Sequence, residues 1–377
     1  MNRTPIITTS SELRDFASFL HAQSVVAVDL EADSMHHYTE QVCLLQVTAA
    51  GQTRLIDPLA LDSLEPLRPV LAERKIRKLF HAADYDLRCL RRDFGLEVAG
   101  LFDSMVAAQF CGEERIGLAD LLAKYFDIQL DKKYQRADWT IRPLPAEMVA
   151  YAACDTHYLE DLADLFEQKL KELERLDWLE EECLLLEQVA FDANGGPMCL
   201  RLKGAGKLNG RQLAVLEELL QWRDRTARRR DVPPFKVVGN RPLLEIATMA
   251  PRSLRALDGI DGLPPRLLGR IGRDLLACVE KGLAWPESDL PAWPRGPRRQ
   301  RDPEVDTRLD ALKQWRRQTA QRLGLDPGVM INNGLLETLA RLWPFREADL
   351  SRIEGMRNWQ RREFGQEITQ VLARCSG

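Results

Sequence analysis

The sequence of 377 residues lacks the segments that mark membrane, secreted and zinc-binding proteins. No apolar run approaches the ~18 residues that a membrane-spanning helix needs, and the first thirty residues show no signal-peptide pattern. The eight cysteines are scattered, without a CxxC pair or a Cys/His cluster of zinc spacing. We therefore expect a cytoplasmic protein with reduced core thiols and no membrane partner. Since no heptad repeat is present to pair helices between chains, we expect a monomer.

Charge is unevenly divided along the chain. The net charge is −4, but residues 1–200 carry −15 and residues 201–377 carry +11. An acidic front half and a basic back half indicate different roles, and a basic half is typical of a protein that binds a polyanion. An excess of solvated arginine would give the same count, so composition alone leaves both interpretations open.

Strand-like and helical patterns alternate in the front half. The strand-like runs lie at 25–32, 42–49, 53–58 and 77–80, and the second and third are close enough to form a hairpin. Helical periodicity is found first at 11–20, with Ser10 or Ser11 as the candidate N-cap, and later in one long run at 145–176. This order predicts an α/β domain with a mixed sheet and helices on both faces.

Breaker residues and an internal repeat divide the back half. The cluster DANGGP at 192–197 and a proline-rich segment near 290 mark borders. The segments that start at Leu216 and Leu309 align without gaps at an offset of 93 residues. This register indicates a duplicated small helical domain. We therefore expect domains at 1–200, 207–284 and 304–377, with a Pro/Arg-rich linker at 285–303.

The stretch VVAVDLEA, residues 25–32, contains two acids inside a strand pattern. Asp29 and Glu31 are two positions apart, so both side chains point to the same face of the strand. Adjacent carboxylates repel each other, and both stay ionised only if cations are near. A strand end close to solvent would also explain the pair, so by itself it leaves metal binding open.

Two further acidic motifs follow in the sequence. In HAADYDL, Asp84 and Asp86 come just after a strand, at the start of a helix whose dipole favours acids there. In YAACD, Tyr151 and Asp155 are one helical turn apart, with small residues between them. The helix dipole would explain the acids of HAADYDL on structural grounds alone, and an amphipathic helix would explain YAACD. Neither motif is decisive by itself.

Taken together, the motifs supply four oxygen ligands on three elements. With no His pair or Cys set nearby, this donor set suits a hard cation such as Mg²⁺ or Mn²⁺. Several converging carboxylates without basic partners suit two metals about 3.5–4 Å apart, the arrangement that serves in-line attack on a phosphodiester. A tyrosine one turn from a ligand can hydrogen-bond the attacking water. The expected cofactors are therefore two divalent cations.

These motifs resemble those of a known superfamily. VDLE, HAADYD and YAACD are similar to the three exonuclease motifs of the DEDD superfamily in its tyrosine-bearing branch. GLADLLAKYF and LDKKYQRADWTIRPL resemble connecting segments of the bacterial ribonuclease D family, and the two repeats resemble HRDC domains, which are small helical nucleic-acid-binding modules. The resemblance implies an α/β ribonuclease-H-like (DnaQ-like) exonuclease domain with a mixed sheet, followed by two all-α HRDC domains.

The resemblance also implies a role for each motif residue. Asp29 would lie between both metals, and Asp86 would support one of them, largely through water. Asp86 is the match in the second motif because it precedes the apolar helix. Glu31 and Asp155 would bind the metal that holds the attacking water, and Tyr151 would orient or deprotonate that water.

Basic and aromatic residues near the third motif and in the back half are candidate RNA contacts. Single strands are held by basic tracks and aromatic platforms, and phosphate contacts give affinity without sequence choice. The candidates are Lys133, Trp139, Arg142, Arg228, Arg229 and Arg230, with a second basic run at 294–301. Packing of Trp139 against the sheet is a competing interpretation. His81 and His157 flank two of the motifs and are left out of the metal set.

The expected function is a metal-dependent 3′→5′ exoribonuclease that binds single-stranded 3′ ends, trims tRNA precursors and other structured RNAs, and releases nucleoside 5′-monophosphates. The catalytic acids do not distinguish RNA from DNA, so a DNA exonuclease of proofreading or repair type is one alternative. A non-enzymatic nucleic-acid-binding protein is another, although no motif acid is lost. A fragment ending near residue 200 is expected still to cleave RNA, but more weakly than the full chain and with less preference for tRNA-like substrates.

Overall fold

The computed structural model describes residues 4–130, 133–191, 195–294, 302–344 and 346–375. Within these ranges the chain forms two compact units. The first unit draws on residues 1–32, 42–191 and 300–377, and the second on residues 33–41 and 192–299. The acidic motifs and the second repeat therefore belong to one unit, and the first repeat belongs to the other. No helix in the described ranges is both long enough and apolar enough to cross a membrane.

A six-stranded sheet forms the centre of the first unit. Its strands are β1 (Ile6–Ile7), β2 (Val25–Ala32), β3 (Val42–Ala49), β4 (Gln52–Ile56), β5 (Arg77–Phe80) and β6 (Leu101–Asp103). They are arranged in the order β1-β4-β3-β2-β5-β6, in which β3 is antiparallel to both neighbours and the other pairs are parallel. The central strands are covered on both faces, which explains their nearly continuous apolar letters. The predicted mixed sheet is confirmed.

Helices flank the sheet along the same part of the chain. They are α1 (Ser10–His21), α2 (Arg68–Ala72), α3 (Asp84–Phe94), α4 (Ser104–Phe110), α5 (Leu118–Phe126), α6 (Ala146–His157), α7 (Leu159–Glu172) and α8 (Leu176–Leu186). The N-cap of α1 is Thr9, which forms a capping box with Glu12, so the expected cap at Ser10 or Ser11 was wrong by one or two positions. The helical run predicted at 145–176 forms two helices, α6 and α7, because the chain turns at Tyr158, and a second turn at Glu174 precedes α8.

The two repeats share one helical design, which confirms the duplication. The first contains α9 (Gly210–Arg230), α10 (Pro234–Val237), α11 (Asn240–Met249), α12 (Leu254–Leu257) and α13 (Pro265–Leu283), and the second contains α14 (Pro303–Leu323), α15 (Pro327–Met330), α16 (Asn333–Leu342) and α17 (Asn358–Arg374). In each, an arginine of the long first helix fixes the turn that follows. Arg223 donates to the Val238 carbonyl and Asn240 Oδ1, and Arg316 donates to the equivalent Ile331 carbonyl and Asn333 Oδ1.

The second repeat and the α/β domain share one apolar core. Trp178 of α8 packs against Trp359 of α17 inside this core. Around it, Arg175 donates to the carbonyls of Phe110 and Leu323 at 2.8 and 2.9 Å, which joins α4 to the end of α14. The second repeat is therefore built into the unit that carries the acidic motifs.

In the second unit, residues 33–41 pack against the first repeat. Nδ1 of His37 lies 2.7 Å from Oδ2 of Asp231, and the Tyr38 hydroxyl donates to Asp224 at 2.8 Å. Because this segment continues directly from β2, the first repeat binds the residues that come immediately after the first acidic motif.

Candidate active site

Strand β2 and helix α6 bring three carboxylates together. Asp29 and Glu31 lie on one face of β2, and Asp155 lies near the end of α6, which packs on the sheet. One carboxylate oxygen from each of the three lies within 4.8 Å of the others. A divalent cation needs several oxygen ligands converging in this way.

Helix α3 adds Asp86 to the same electrostatic environment. Its side chain is buried, and burial followed by the charge of Asp29 raises the pKa of Asp86 well above its ordinary value. Asp84, the other acid of the second motif, is exposed and forms a salt bridge with Arg88 at 2.8 Å, which lowers the pKa of Asp84. The fold therefore brings Asp86, and not Asp84, close to the other acids.

The carboxyls of the cluster have raised pKa values because protein surrounds them and their charges repel. Burial raises the pKa of Asp29 to about 7, and burial followed by the charge of Asp29 raises the pKa of Asp155 to about 8. Burial also raises the pKa of Glu31, with smaller contributions from the neighbouring acids. No cation among the described residues offsets these effects. Acids in such surroundings ionise readily only beside bound cations, so the donor set fits hard divalent metals.

A cleft of about 420 Å³ opens over the acids. Tyr151 lines the cleft one turn before Asp155 on α6. Its ring packs edge-on against Tyr134, with centroids 5.8 Å apart, and lies 6.1 Å from the ring of Trp139. These contacts hold the tyrosine against the wall of the cleft, on the side of the third motif.

Sequence reasoning missed Asp103, a buried acid that organises the turn before α3. Its carboxylate accepts hydrogen bonds from the backbone N–H groups of Ala82 and Ala83, at 3.0 and 2.8 Å, and caps α4. Ala82 has a φ of +66°, so the turn needs such support. The charge of Asp103 also raises the pKa of Asp86. The sequence signal is an Asp before a helical run, which predicts a cap but not proximity to the second motif.

The two histidines beside the motifs lie outside the acidic cluster formed by the described residues. Nδ1 of His81 lies 2.9 Å from Oγ of Ser104, and burial lowers the pKa of His81. His157 is exposed and packs edge-on against Tyr158, with ring centroids 4.6 Å apart.

Comparison with known proteins identifies the family. Residues 4–171 match the 3′-5′ exonuclease family, and residues 212–279 and 306–372 each match the HRDC domain. Ribonuclease D of Gluconacetobacter diazotrophicus is 31% identical over 367 residues, which are 96% of this chain and 91% of that protein. The chain belongs to the ribonuclease D family. Ribonuclease D of Escherichia coli is 33% identical over 291 residues, 76% of each protein.

A solved ribonuclease D has the same architecture along its whole length. The crystal structure of the E. coli protein, described as an exoribonuclease involved in structured RNA processing, matches with a TM-score of 0.74 and 26% identity, covering 99% of both chains. The expected layout of one exonuclease domain and two HRDC domains is thus confirmed. As a member of the ribonuclease D family, the chain is a 3′→5′ exoribonuclease, and the DNA exonuclease alternative is not favoured.

The structure corrects two of the RNA contacts predicted for this ribonuclease D. Trp139 is only 1% exposed and packs in an apolar cluster with Leu44 and Ala152, so it supports Tyr151 and does not offer a face to a base. Arg142 is fully engaged: its guanidinium pairs with Asp57, at 2.5 and 2.8 Å, and donates to the carbonyls of Cys43, Trp139 and Ile141. Trp139 and Arg142 therefore stabilise the local fold and do not contact RNA.

The remaining predicted RNA contacts lie at the surface. The Lys133 side chain is 62% exposed, and its Nζ lies 3.6 Å from Glu147. Arg228, Arg229 and Arg230 are exposed in the last turn of α9, where Arg228 donates to the Tyr38 hydroxyl at 3.2 Å. The basic run at 294–301 lies outside the described residues, apart from Pro294.

Proposed function

We propose that this chain trims the 3′ ends of tRNA precursors and other structured RNAs by a two-metal hydrolytic mechanism that releases nucleoside 5′-monophosphates. The observation that carries the proposal is the acidic cluster, in which oxygens of Asp29, Glu31 and Asp155 lie within 4.8 Å of one another in the cleft that Tyr151 lines. The description of the E. coli relative as involved in structured RNA processing supports this substrate class.

In this proposal Asp29, Glu31, Asp86 and Asp155 hold two divalent cations, Mg²⁺ or Mn²⁺. Bound cations of this kind lower the pKa of a coordinated water and stabilise charge on the phosphoryl group. The chain itself holds the four acids in place, on the central strand β2 and on the helices α3 and α6. Among the described residues, no Lys or Arg pairs with Glu31 in place of a metal. Tyr151 orients the attacking water or takes its proton.

The proposal also covers the RNA contacts, the domain limits, the oligomeric state and the location of the protein. Lys133 and the three arginines at the end of α9 contact phosphates, and the three arginines belong to the basic back half of the chain. The domain limits of 1–200, 207–284 and 304–377, joined by a linker at 285–303, describe the exonuclease domain and the two HRDC domains. The protein acts as a monomer in the cytoplasm.

The experiment that tests the proposal compares a 3′-extended tRNA with an unstructured RNA and with a DNA oligonucleotide of the same 3′ sequence, each with Mg²⁺, Mn²⁺ or EDTA. We expect stepwise shortening of the RNA, release of nucleoside 5′-monophosphates and no reaction in EDTA. Cleavage that survives EDTA would contradict the metal mechanism, and nucleoside 3′-monophosphates would contradict the assigned chemistry. Equal rates on a 3′-extended tRNA and on unstructured RNA would remove the preference for structured substrates.

A further inference from the structure

Gln46 of strand β3 is completely buried, yet its amide group has no hydrogen-bond partner among the described residues. The side chain is 0% exposed, and neither Nε2 nor Oε1 is bonded. A buried amide without partners is unfavourable, and an apolar side chain of similar shape avoids that penalty. The position is therefore poorly explained by packing alone.

The sheet register places Gln46 directly beside the acidic cluster. Asp29 on β2 and Gln46 on β3 are partners in the antiparallel ladder, as are Glu31 and Leu44. Directly paired residues point to the same face, with Cβ atoms about 4.5–5.5 Å apart. The Gln46 side chain thus emerges on the face of the sheet that carries both acids of the first motif.

Helix α6 covers the same face. Leu44, two positions before Gln46, shares an apolar cluster with Ala152 of α6. Thr48, two positions after Gln46, lies 2.7 Å from Thr156 of α6, measured between the hydroxyl oxygens. Gln46 therefore faces the turn between positions 152 and 156, the turn that carries the third-motif acid.

Because the Gln46 amide is unpaired among the described residues, we propose that Gln46 is a positioning residue: when a metal draws the Asp29 carboxylate into its metal-binding orientation, the amide N–H of Gln46 donates to that carboxylate and holds it there. A neutral amide suits this role because it donates hydrogen bonds without competing with a cation for the acid, as Lys or Arg would. Groups that orient metal ligands typically change metal affinity or activity 10–100-fold when removed. This inference rests on the proposed metal site.

The test measures Mn²⁺ binding by the full-length protein using isothermal titration calorimetry, together with kcat at saturating Mn²⁺. Gln46→Met removes the amide at similar volume, and Gln46→Leu serves the same purpose if the first variant does not fold. Gln46→Asn keeps a shorter amide. The matched control is Gln360→Met, which alters a buried glutamine of the second repeat whose Nε2 donates to the Met330 carbonyl at 2.9 Å.

We expect Gln46→Met to weaken Mn²⁺ binding roughly 10–100-fold and to lower kcat, and Gln46→Asn to lose less. Gln360→Met should lower the thermal midpoint without changing the affinity for Mn²⁺. Wild-type affinity in Gln46→Met, or in Gln46→Leu, would overturn the inference, whatever happens to stability. If Asp29→Asn abolishes Mn²⁺ binding in that case, the metal site stands and only the role of Gln46 fails. If the wild-type protein binds no Mn²⁺, both fail.

Discussion

The indole ring of Trp178 in the exonuclease domain stacks on that of Trp359 in the second HRDC domain, with centroids 4.4 Å apart and planes 16° apart. Both rings are almost completely buried, and Phe110 and Phe364 pack edge-on against Trp359. The second HRDC domain thus closes the core of the unit that carries the acidic cluster. A fragment ending near residue 200 would expose Trp178, so we expect it to be less stable than the full chain.

Trp359→Ala tests this shared core. Removing a fully buried aromatic side chain typically destabilises a protein by ~3–5 kcal/mol, and we expect a loss of that size in urea unfolding followed by circular dichroism. Because Trp359 does not line the cleft over the acids, kcat measured well below the unfolding transition should be retained. Trp285→Ala in the first repeat is the control, since Trp285 is only partly buried and should lose less. An unchanged urea midpoint for Trp359→Ala would mean that the second repeat folds independently.

Asp29→Asn and Asp155→Asn each test the acidic cluster. Each substitution keeps the size of the side chain but removes a charge that a divalent cation needs. We expect hydrolysis to fall to background and RNA binding, measured in EDTA by fluorescence anisotropy, to be unchanged. Asp84→Asn is the matched control, because that exposed acid pairs with Arg88 and should retain activity. Normal turnover by Asp155→Asn with saturating Mn²⁺ would remove Asp155 from the site.

Tyr151→Phe separates proton handling from packing. The ring contacts with Tyr134 and Trp139 remain in this variant, and only the hydroxyl is lost. If the hydroxyl assists proton transfer, kcat should fall roughly 10²–10⁴-fold while Mn²⁺ affinity and thermal midpoint stay unchanged. A wild-type kcat would restrict Tyr151 to packing. Tyr134→Phe, which loses the hydrogen bond to Glu147 at 2.5 Å, should have little effect on kcat.

Local sequence patterns predicted the central strands of the sheet. The short edge strands and the register between strands depend on long-range pairing and were not predicted. Strands β2 and β3 were predicted with their observed bounds, because eight apolar-rich residues give a clear signal. Strands β1 and β6 are two and three residues long, too short to show a period. The partnership of Asp29 with Gln46 depends on register between strands, which no local pattern encodes. Trp139 appeared as an RNA contact because composition does not reveal burial.

The arginines at the end of α9 and Arg142 should respond differently to substitution. The double change Arg229→Ala and Arg230→Ala should weaken RNA binding and reduce the slope of log affinity against log salt by about 1–2, since two phosphate contacts are lost. Its thermal midpoint should not change, because both side chains are exposed. Arg142→Ala should instead lower the thermal midpoint and leave the salt slope unchanged, because its guanidinium binds Asp57 and three carbonyls. The reverse result would restore Arg142 as an RNA contact.

Stability without metal should fall as pH rises. The pKa of Asp29 is raised from 3.8 to about 7, and that of Asp155 from 3.8 to about 8, so the folded protein retains protons that the unfolded chain releases. This contribution to stability is complete below pH ~4 and is lost by pH ~8. In EDTA we therefore expect a lower thermal midpoint at pH 8 than at pH 6. Because metal ligands must be deprotonated, the increase in midpoint on adding Mn²⁺ should be larger at pH 8.

Asp29→Asn is the control for the pH experiment. It removes one titrating group and the repulsion that group exerts on Asp155, Glu31 and Asp86. The midpoint of this variant in EDTA should therefore be higher than that of the wild-type protein at pH 8, with a smaller difference between the two at pH 6. Its midpoint should also rise less with Mn²⁺. If the two proteins showed the same pH dependence in EDTA, the acids would not be coupled through a shared buried site.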